Sequence, residues 1–199
     1  MENGFYMQTT EVTQGQWQMV MGTLPLYTRK CDEKCPVDRV SWDDAQKFIN
    51  KLNKIEGSHN YRLPTETEWE YASRAGSETA FANGEISALT CDRDTKLDEI
   101  GWYCGNAKIY PHHPVAQKNP NAWGLYDMHG SVWEWCSDWY GDYPPESVTN
   151  PIGPSDGTER VMRGGGIADT ARSCRSGNRH SLRPDLMFDN IGLRVIRTP

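Results

Sequence analysis

Apolar positions recur along this chain at two spacings. The run 4–12 (Gly-Phe-Tyr-Met-Gln-Thr-Thr-Glu-Val) alternates roughly, which predicts a short extended piece. Behind Thr13, Trp17, Val20 and Met21 return at helical spacing until Gly22, so a first helix is predicted there. A loop over 24–36 follows. The most regular stripe is Ala45, Phe48, Ile49, Leu52 and Ile55, which predicts a helix that buries one face and leaves Lys47, Lys51 and Lys54 solvated. Ser41 is its N-cap, Asp43 and Asp44 suit its electropositive first turn, and Gly57 lies past its end. A third helix is predicted over 66–74, because Thr65 and Glu68 form a capping box and Gly76 follows. Position at a helix N-terminus explains these glutamates without acid chemistry. The pattern then loosens into turns and short strands over 77–120, and into an irregular surface loop over 140–160. Strands are predicted at 160–166, running into a Gly-rich turn, and at 191–196. Between them Arg172, Arg175, Arg179 and Arg183 stand three and four apart, but the glycines and Pro184 favour an irregular excursion over a helix.

The densest apolar stretch is 121–136, Asn-Ala-Trp-Gly-Leu-Tyr-Asp-Met-His-Gly-Ser-Val-Trp-Glu-Trp-Cys, with three tryptophans in sixteen residues. Each indole buries on the order of 150–250 Å² in a core, so this segment is expected at the buried centre. Two carboxylates, Asp127 and Glu134, go in with it, and a buried carboxylate needs a partner. A hard cation such as calcium is one, with the carbonyls of Gly130 and Val132 completing the shell between the acids.

With 199 residues the chain is expected to be a single domain, 1–199, with a sizeable core. Only 37% of residues are hydrophobic, yet there are 8 Trp, 9 Tyr, 18 Gly and 12 Pro, so aromatics must fill a loop-rich fold. A net charge of -6 argues against a nucleic-acid partner, whose electrostatic footprint is basic. No run approaches the roughly 18–20 apolar residues of a membrane span, and the first residues lack signal-peptide features. Export by another route or trimming stays open, as does display on a cell surface or virion.

The cysteines are Cys31, Cys35, Cys91, Cys104, Cys136 and Cys174. Only the first two are close, where zinc wants two close pairs, so disulfides or buried thiols are expected with connectivity open. The acids Asp92, Asp94, Asp98 and Glu99 lack the glycine of an EF-hand loop and read as a solvated acidic loop. His112 and His113 project differently, have no evident third ligand, and read as exposed.

Several motifs stand in one order along nearly the whole chain. They are Glu11-Val-Thr-Gln-Gly-Gln-Trp17, Val40-Ser-Trp-Asp-Asp-Ala45, Tyr61-Arg-Leu-Pro-Thr-Glu-Thr-Glu-Trp-Glu-Tyr-Ala72, Gly124-Leu-Tyr-Asp-Met-His-Gly-Ser-Val-Trp-Glu-Trp135, Arg163-Gly-Gly165 and Asn190-Ile-Gly-Leu-Arg194. In these the chain resembles the formylglycine-generating enzyme (sulfatase-modifying factor) family. The resemblance implies an α+β, C-type lectin-like fold: a small, twisted, mostly antiparallel sheet, peripheral helices and much irregular loop. It also implies a calcium site at Asp127 and Glu134 by side chain and at Gly130 and Val132 by carbonyl. Asp127 stands where the enzymes look to have Asn.

Enzymes of the family oxidise a substrate cysteine with two cysteines of their own, which follow the Arg-Gly-Gly turn and bind copper. Here the first of those positions falls near Asp169, and only Cys174 remains, so sulfatase activation is not expected. Iron-dependent relatives use histidine sets, and His59, His112, His113, His129 and His180 show no His-x-x-x-His spacing. The pattern is most similar to the variable proteins of diversity-generating retroelements, which display a diversified ligand-binding surface near the C-terminus. A framework survives as Ala171-Arg172, Cys174-Arg-Ser176, Arg179, Pro184-Asp185 and 190–195. Between these lie heterogeneous slots: Ile167, Ala168, Asp169, Thr170, Gly177, His180, Ser181, Leu182, Arg183, Leu186, Met187, Phe188 and Asp189. The expectation is a non-catalytic protein that binds a protein or cell-surface ligand through segment 166–189. A formylglycine-generating or other metal-dependent oxidoreductase is the alternative.

Overall fold

The computed structural model describes residues 4–28, 31–107, 112–143 and 151–199. Parts of the loops predicted over 24–36, 77–120 and 140–160 lie outside them.

The helices form where the caps placed them. In α1 (Gln14–Met21) the Thr13 hydroxyl accepts from Gln16 N while the Gln16 side chain accepts from Thr13 N, and Gly22 ends the helix at φ 88°. In α2 (Trp42–Glu56) Ser41 accepts from Asp44 N and Gly57 is the left-handed C-cap at φ 61°. In α3 (Glu66–Arg74) the Thr65 and Glu68 box is complete, but the left-handed cap is Ala75, one residue before the expected glycine. α1 and α2 pack through Trp17 and Phe48, whose rings stack at 5.0 Å. Ile55 does not join the buried stripe; it sits in the last turn of α2 and is 60% exposed.

Two small sheets hold the rest. The strands β1 (Tyr6–Met7), β2 (Tyr61–Arg62) and β7 (Ile196–Arg197) make one sheet in the order β1-β7-β2, antiparallel throughout. The other has the order β5-β4-β3-β6, built from β3 (Trp133–Trp139), β4 (Arg160–Arg163), β5 (His180–Leu182) and β6 (Ile191–Gly192). Its β3–β4 and β4–β5 pairs are antiparallel and β3–β6 is parallel. The single strand expected over 191–196 is thus shared between the sheets. In the crossing, Leu193 O accepts from Val12 N (2.9 Å) and Val195 O from Gln8 N (3.0 Å), so its backbone bonds go to the first extended segment.

The central cluster joins Trp17, Phe48, Ile49, Leu63, Trp133, Trp135 and Leu193. A second, around Trp69, Leu125, Met128, Cys136 and Val161, lies under α3. Trp123 departs from the expectation for the Trp-rich stretch: it is half exposed, edge-on to Tyr71 at 4.9 Å.

Segment 77–120 differs most from its reading. It carries a short helix, α4 (Leu97–Ile100), and an isolated bridge between Phe81 and Gly84. Asp94 is buried, not solvated: Oδ1 accepts from Lys96 N and Leu97 N, and Oδ2 from Ser87 N and Ala88 N. It therefore fastens a loop to a helix start, and backbone hydrogen bonds hold its carboxyl below the usual range against the effect of burial. His112 is buried and His113 stacks on Trp102 at 3.8 Å, so neither is the exposed loop residue expected.

Candidate functional site

Two regions carry the chemistry: a buried charged centre and the face made by 166–189. The centre begins with a turn in which Asp127 (φ 58°), Gly130 (φ 98°) and Ser131 (φ 67°) are all left-handed. A Cβ at Gly130 would lie 2.1 Å from Trp102 O, so only glycine passes there. This turn delivers β3, and Glu134 on β3 is completely buried.

Glu134 is hydrogen-bonded by protein partners on both oxygens. Arg194 Nε donates to Oε1 (3.1 Å) and Oε2 (3.0 Å), Arg194 Nη2 donates to Oε1 (2.8 Å), and Trp69 Nε1 donates to Oε2 (2.7 Å). Three N–H groups, one of them shared between the two oxygens, thus fix the carboxylate in place. The arginine that supplies two of them comes from the crossing after β6, which the sequence marked only as framework. Arg194 also donates to Gln8 O (3.1 Å) and Tyr126 O (2.8 Å).

Asp127 is only half satisfied. Its Oδ2 accepts from Ala116 N at 2.7 Å, while Oδ1 is buried without a hydrogen-bond partner. Burial pushes its carboxyl up, against the pull of that amide and of Arg194. Glu11, not singled out in the sequence, is fully buried with both oxygens unpartnered. Burial, then the charge of Asp127, holds it well above the usual carboxylate range. The carbonyls of Gly130 and Val132 accept no hydrogen bond from any described residue.

His129, in the same turn, ties the centre to the C-terminal face. Its Nε2 accepts from Ala82 N (3.1 Å), so Nδ1 carries the hydrogen and donates to Cys174 O (2.8 Å). Burial pushes the imidazole down to about 4 and keeps it neutral.

Segment 166–189 holds a 3-10 turn (Ala171–Cys174) and β5. Arginines moor it to α3. Arg179 grips Glu66 with two bonds (2.6 and 2.8 Å) and lies 4.0 Å over the Tyr143 ring, while the buried Arg163 binds Glu70, Asn178 O and Ser176 O. On this moored backbone Ala168, Gly177, His180, Arg183, Leu186 and Phe188 are exposed, and Thr170, Ser181, Leu182, Met187 and Asp189 are half-buried. Leu182 leans on the central cluster, Arg183 pairs with Asp185 at 2.8 Å, and Asp189 pairs with Arg39. Ile167 is 1% exposed and so is core, not binding surface; it follows the Gly-rich turn inward, where its N donates to Ser131 O.

Asp169 is an organiser of this face. Its Oδ2 accepts from Trp133 Nε1 (2.8 Å), Gly166 N (2.9 Å) and Asn190 Nδ2 (3.3 Å). His180 meets the edge of the same Trp133 ring at 5.3 Å. Trp133 is thus the floor where Asp169 and His180 come together, a role hidden in the sequence because its neighbours Val132 and Trp135 are plain core.

Cys31 pairs with Cys35 and Cys91 with Cys104. Cys136 and Cys174 are buried thiols in different clusters, each pushed well above its usual range by burial.

The model of the sulfatase-modifying factor enzyme 1-like domain matches residues 1–199. The formylglycine-generating enzyme of Streptomyces coelicolor is 36% identical over 80% of this chain, which spans 51% of that enzyme. The chaperone protein LppX of Paenibacillus barcinonensis is 29% identical, with 98% of this chain and 80% of that protein covered. Among solved structures, Treponema denticola variable protein 1 superposes with a TM-score of 0.88 at 29% identity, covering 98% of this chain and 84% of that one. The architecture of small curled sheets and few helices is therefore the expected α+β, C-type lectin-like one. No helix of the described residues is long and apolar enough to cross a membrane.

Proposed function

We propose that this chain, which belongs to the sulfatase-modifying factor enzyme 1-like family, binds a ligand through the exposed face of 166–189 and performs no catalysis. On this reading it is the variable protein of a diversity-generating retroelement. The observation that carries it is the division of labour within the segment. Arg163, Arg179, Asp169 and Ile167 fix the backbone from inside, while Ala168, His180, Arg183, Leu186 and Phe188 project from it with few internal partners. Such a surface can change its side chains without changing its fold. The likeness to variable protein 1 over nearly the whole chain supports the same reading. A face mixing Phe188, Leu186 and Arg183 offers the apolar and guanidinium anchors that protein interfaces favour, which points to a protein or cell-surface ligand.

The formylglycine-generating relatives keep an oxidative reading alive, and one assay separates the two. The protein is incubated with copper and a Cys-x-Pro-x-Arg peptide, and the peptide mass is followed. No loss of the thiol is expected; conversion with turnover would overturn the binding reading. In the coding DNA, a nearby near-copy of the segment for 166–189, differing mainly at adenines and lying beside a reverse transcriptase, is expected. Its absence would remove the retroelement part and leave ligand binding to be tested by itself.

A further inference from the structure

Between α1, α2 and one face of the β1-β7-β2 sheet lies an open cavity of about 390 Å³, lined by none of the described residues of 127–134 or 166–189. Its walls are Val12, Val20, Phe48, Leu52 and Val195. Tyr6, Arg197 and Tyr61 stand in one row at its mouth, because Arg197 on β7 opposes Tyr6 on β1 and Tyr61 on β2, and directly opposed residues share a face. Small-molecule sites take roughly 300–1,000 Å³, with apolar walls and a few polar handles, and this cavity has that form. Apolar groups are left in water around it: Tyr6 is 67% exposed and Met19 85%. Exposed apolar patches of this kind mark binding sites.

The charge is one-sided. Arg197 is the one charged residue among those lining the cavity, and no residue of α1 is charged. Its guanidinium lies 6.0 Å over the Tyr61 ring, and among the described residues no carboxylate pairs with it. Arg62, next to Tyr61 and so on the opposite face of the sheet, is by contrast bonded to Glu68 through two nitrogens (2.7 and 2.6 Å). In a chain of net charge -6, an unpaired cation at the mouth of an apolar cavity is complementary to an anionic head on an apolar body.

We propose that this cavity binds a medium-chain alkyl carboxylate, with its tail against Phe48 and Leu52 and its head on Arg197. The guanidinium presents paired N–H groups that match the two carboxylate oxygens, and the hydroxyls of Tyr6 and Tyr61 flank it as further donors. A polyanion is a poorer match, because the cavity offers one cation. The tail carries most of the affinity: each methylene moved from water onto the walls strengthens binding about fourfold, whereas an ion pair at an exposed mouth is screened. The head supplies the orientation.

The test titrates the full chain with hexanoate, octanoate, decanoate and dodecanoate below their micelle concentrations, followed by calorimetry, with decanol as the uncharged control. Decanoate is expected to bind at a single equivalent, with affinity rising about fourfold per methylene along the series until the cavity is full. Decanol should bind about tenfold more weakly than decanoate. Arg197→Gln, at an exposed position, should fold as wild type does and weaken decanoate about tenfold while leaving decanol unchanged. Val20→Trp, which fills the cavity from α1, should weaken both; circular dichroism checks its fold, and Arg197→Gln decides alone should it not fold. No uptake of decanoate by wild type would overturn the proposal, and so would equal decanoate affinity in wild type and Arg197→Gln. Sedimentation tests the other occupant: dimerisation that Arg197→Gln abolishes and decanoate leaves untouched would overturn the proposal in favour of a second copy of the chain. None of these results bears on ligand binding at the C-terminal face.

Discussion

The stretch from Asp127 to Glu134 and the segment 166–189 are both mixtures of charged, apolar and glycine residues, yet they use them in opposite ways. In the first, most polar side chains are answered from within: Glu134 accepts from three N–H groups, His129 is bonded at both nitrogens, and Trp133 reaches Asp169, while Asp127 Oδ1 has no hydrogen-bond partner. In the second, a few inward residues hold the backbone and the rest point outward. Composition is therefore a poor guide to tolerance. What matters is where each side chain finds its partner, since removing one member of a buried pair leaves the other stranded.

The sharpest contrast is at Arg194. Arg194→Leu strands the buried Glu134 and should cost about 3–5 kcal/mol in urea unfolding, or prevent folding. A cost under about 1 kcal/mol would mean that the centre is not the anchor described here.

His129 gives the next largest effect. Its folded value of about 4 lies below the ordinary 6.5, so its contribution is complete above 6.5 and is lost as pH falls towards 4. The loss should reach on the order of 2–3 kcal/mol. Glu11 and Asp127, with raised values, act in the opposite direction as pH falls. The quantity to compare is therefore the stability of wild type minus that of His129→Asn between pH 7 and pH 4. A flat difference would exclude the neutral, doubly bonded imidazole.

Asp169 tests the boundary between the two regions. It lies in the segment but serves the scaffold, so Asp169→Ala should cost about 1–2 kcal/mol through the stranded Trp133 indole. Phe188→Ala and His180→Ala, in the same segment but facing outward, should stay within about 0.5 kcal/mol. Equal costs at all three would erase the distinction.

The sequence reading succeeded where local chemistry decides. The three capped helices, the solvated Lys47, Lys51 and Lys54, and the strand at 160–163 follow from caps and periodicity within a few residues. It failed where partners come from far along the chain. Glu134 and Arg194 are sixty positions apart, and nothing near either one announces the pair. Glu11 stands in a roughly alternating stretch, and nothing near it in the sequence announces that it is fully buried. Ile191 to Ile196 reads as one strand because periodicity cannot show that its halves pair with different sheets. In segment 166–189 the surviving framework does not reveal that Ile167 is buried, because its inward path depends on the Gly-rich turn before it.

The most direct test of this contrast is a pair of displayed libraries of equal size, scored by resistance to protease. One randomises Ala168, His180, Arg183, Leu186 and Phe188; the other randomises Glu11, His129, Trp133, Glu134 and Arg194. The account predicts that most members of the first library stay as resistant as wild type, while nearly all of the second are cleaved. Comparable losses in both would contradict the claim that the C-terminal face varies freely on a scaffold held from its charged centre.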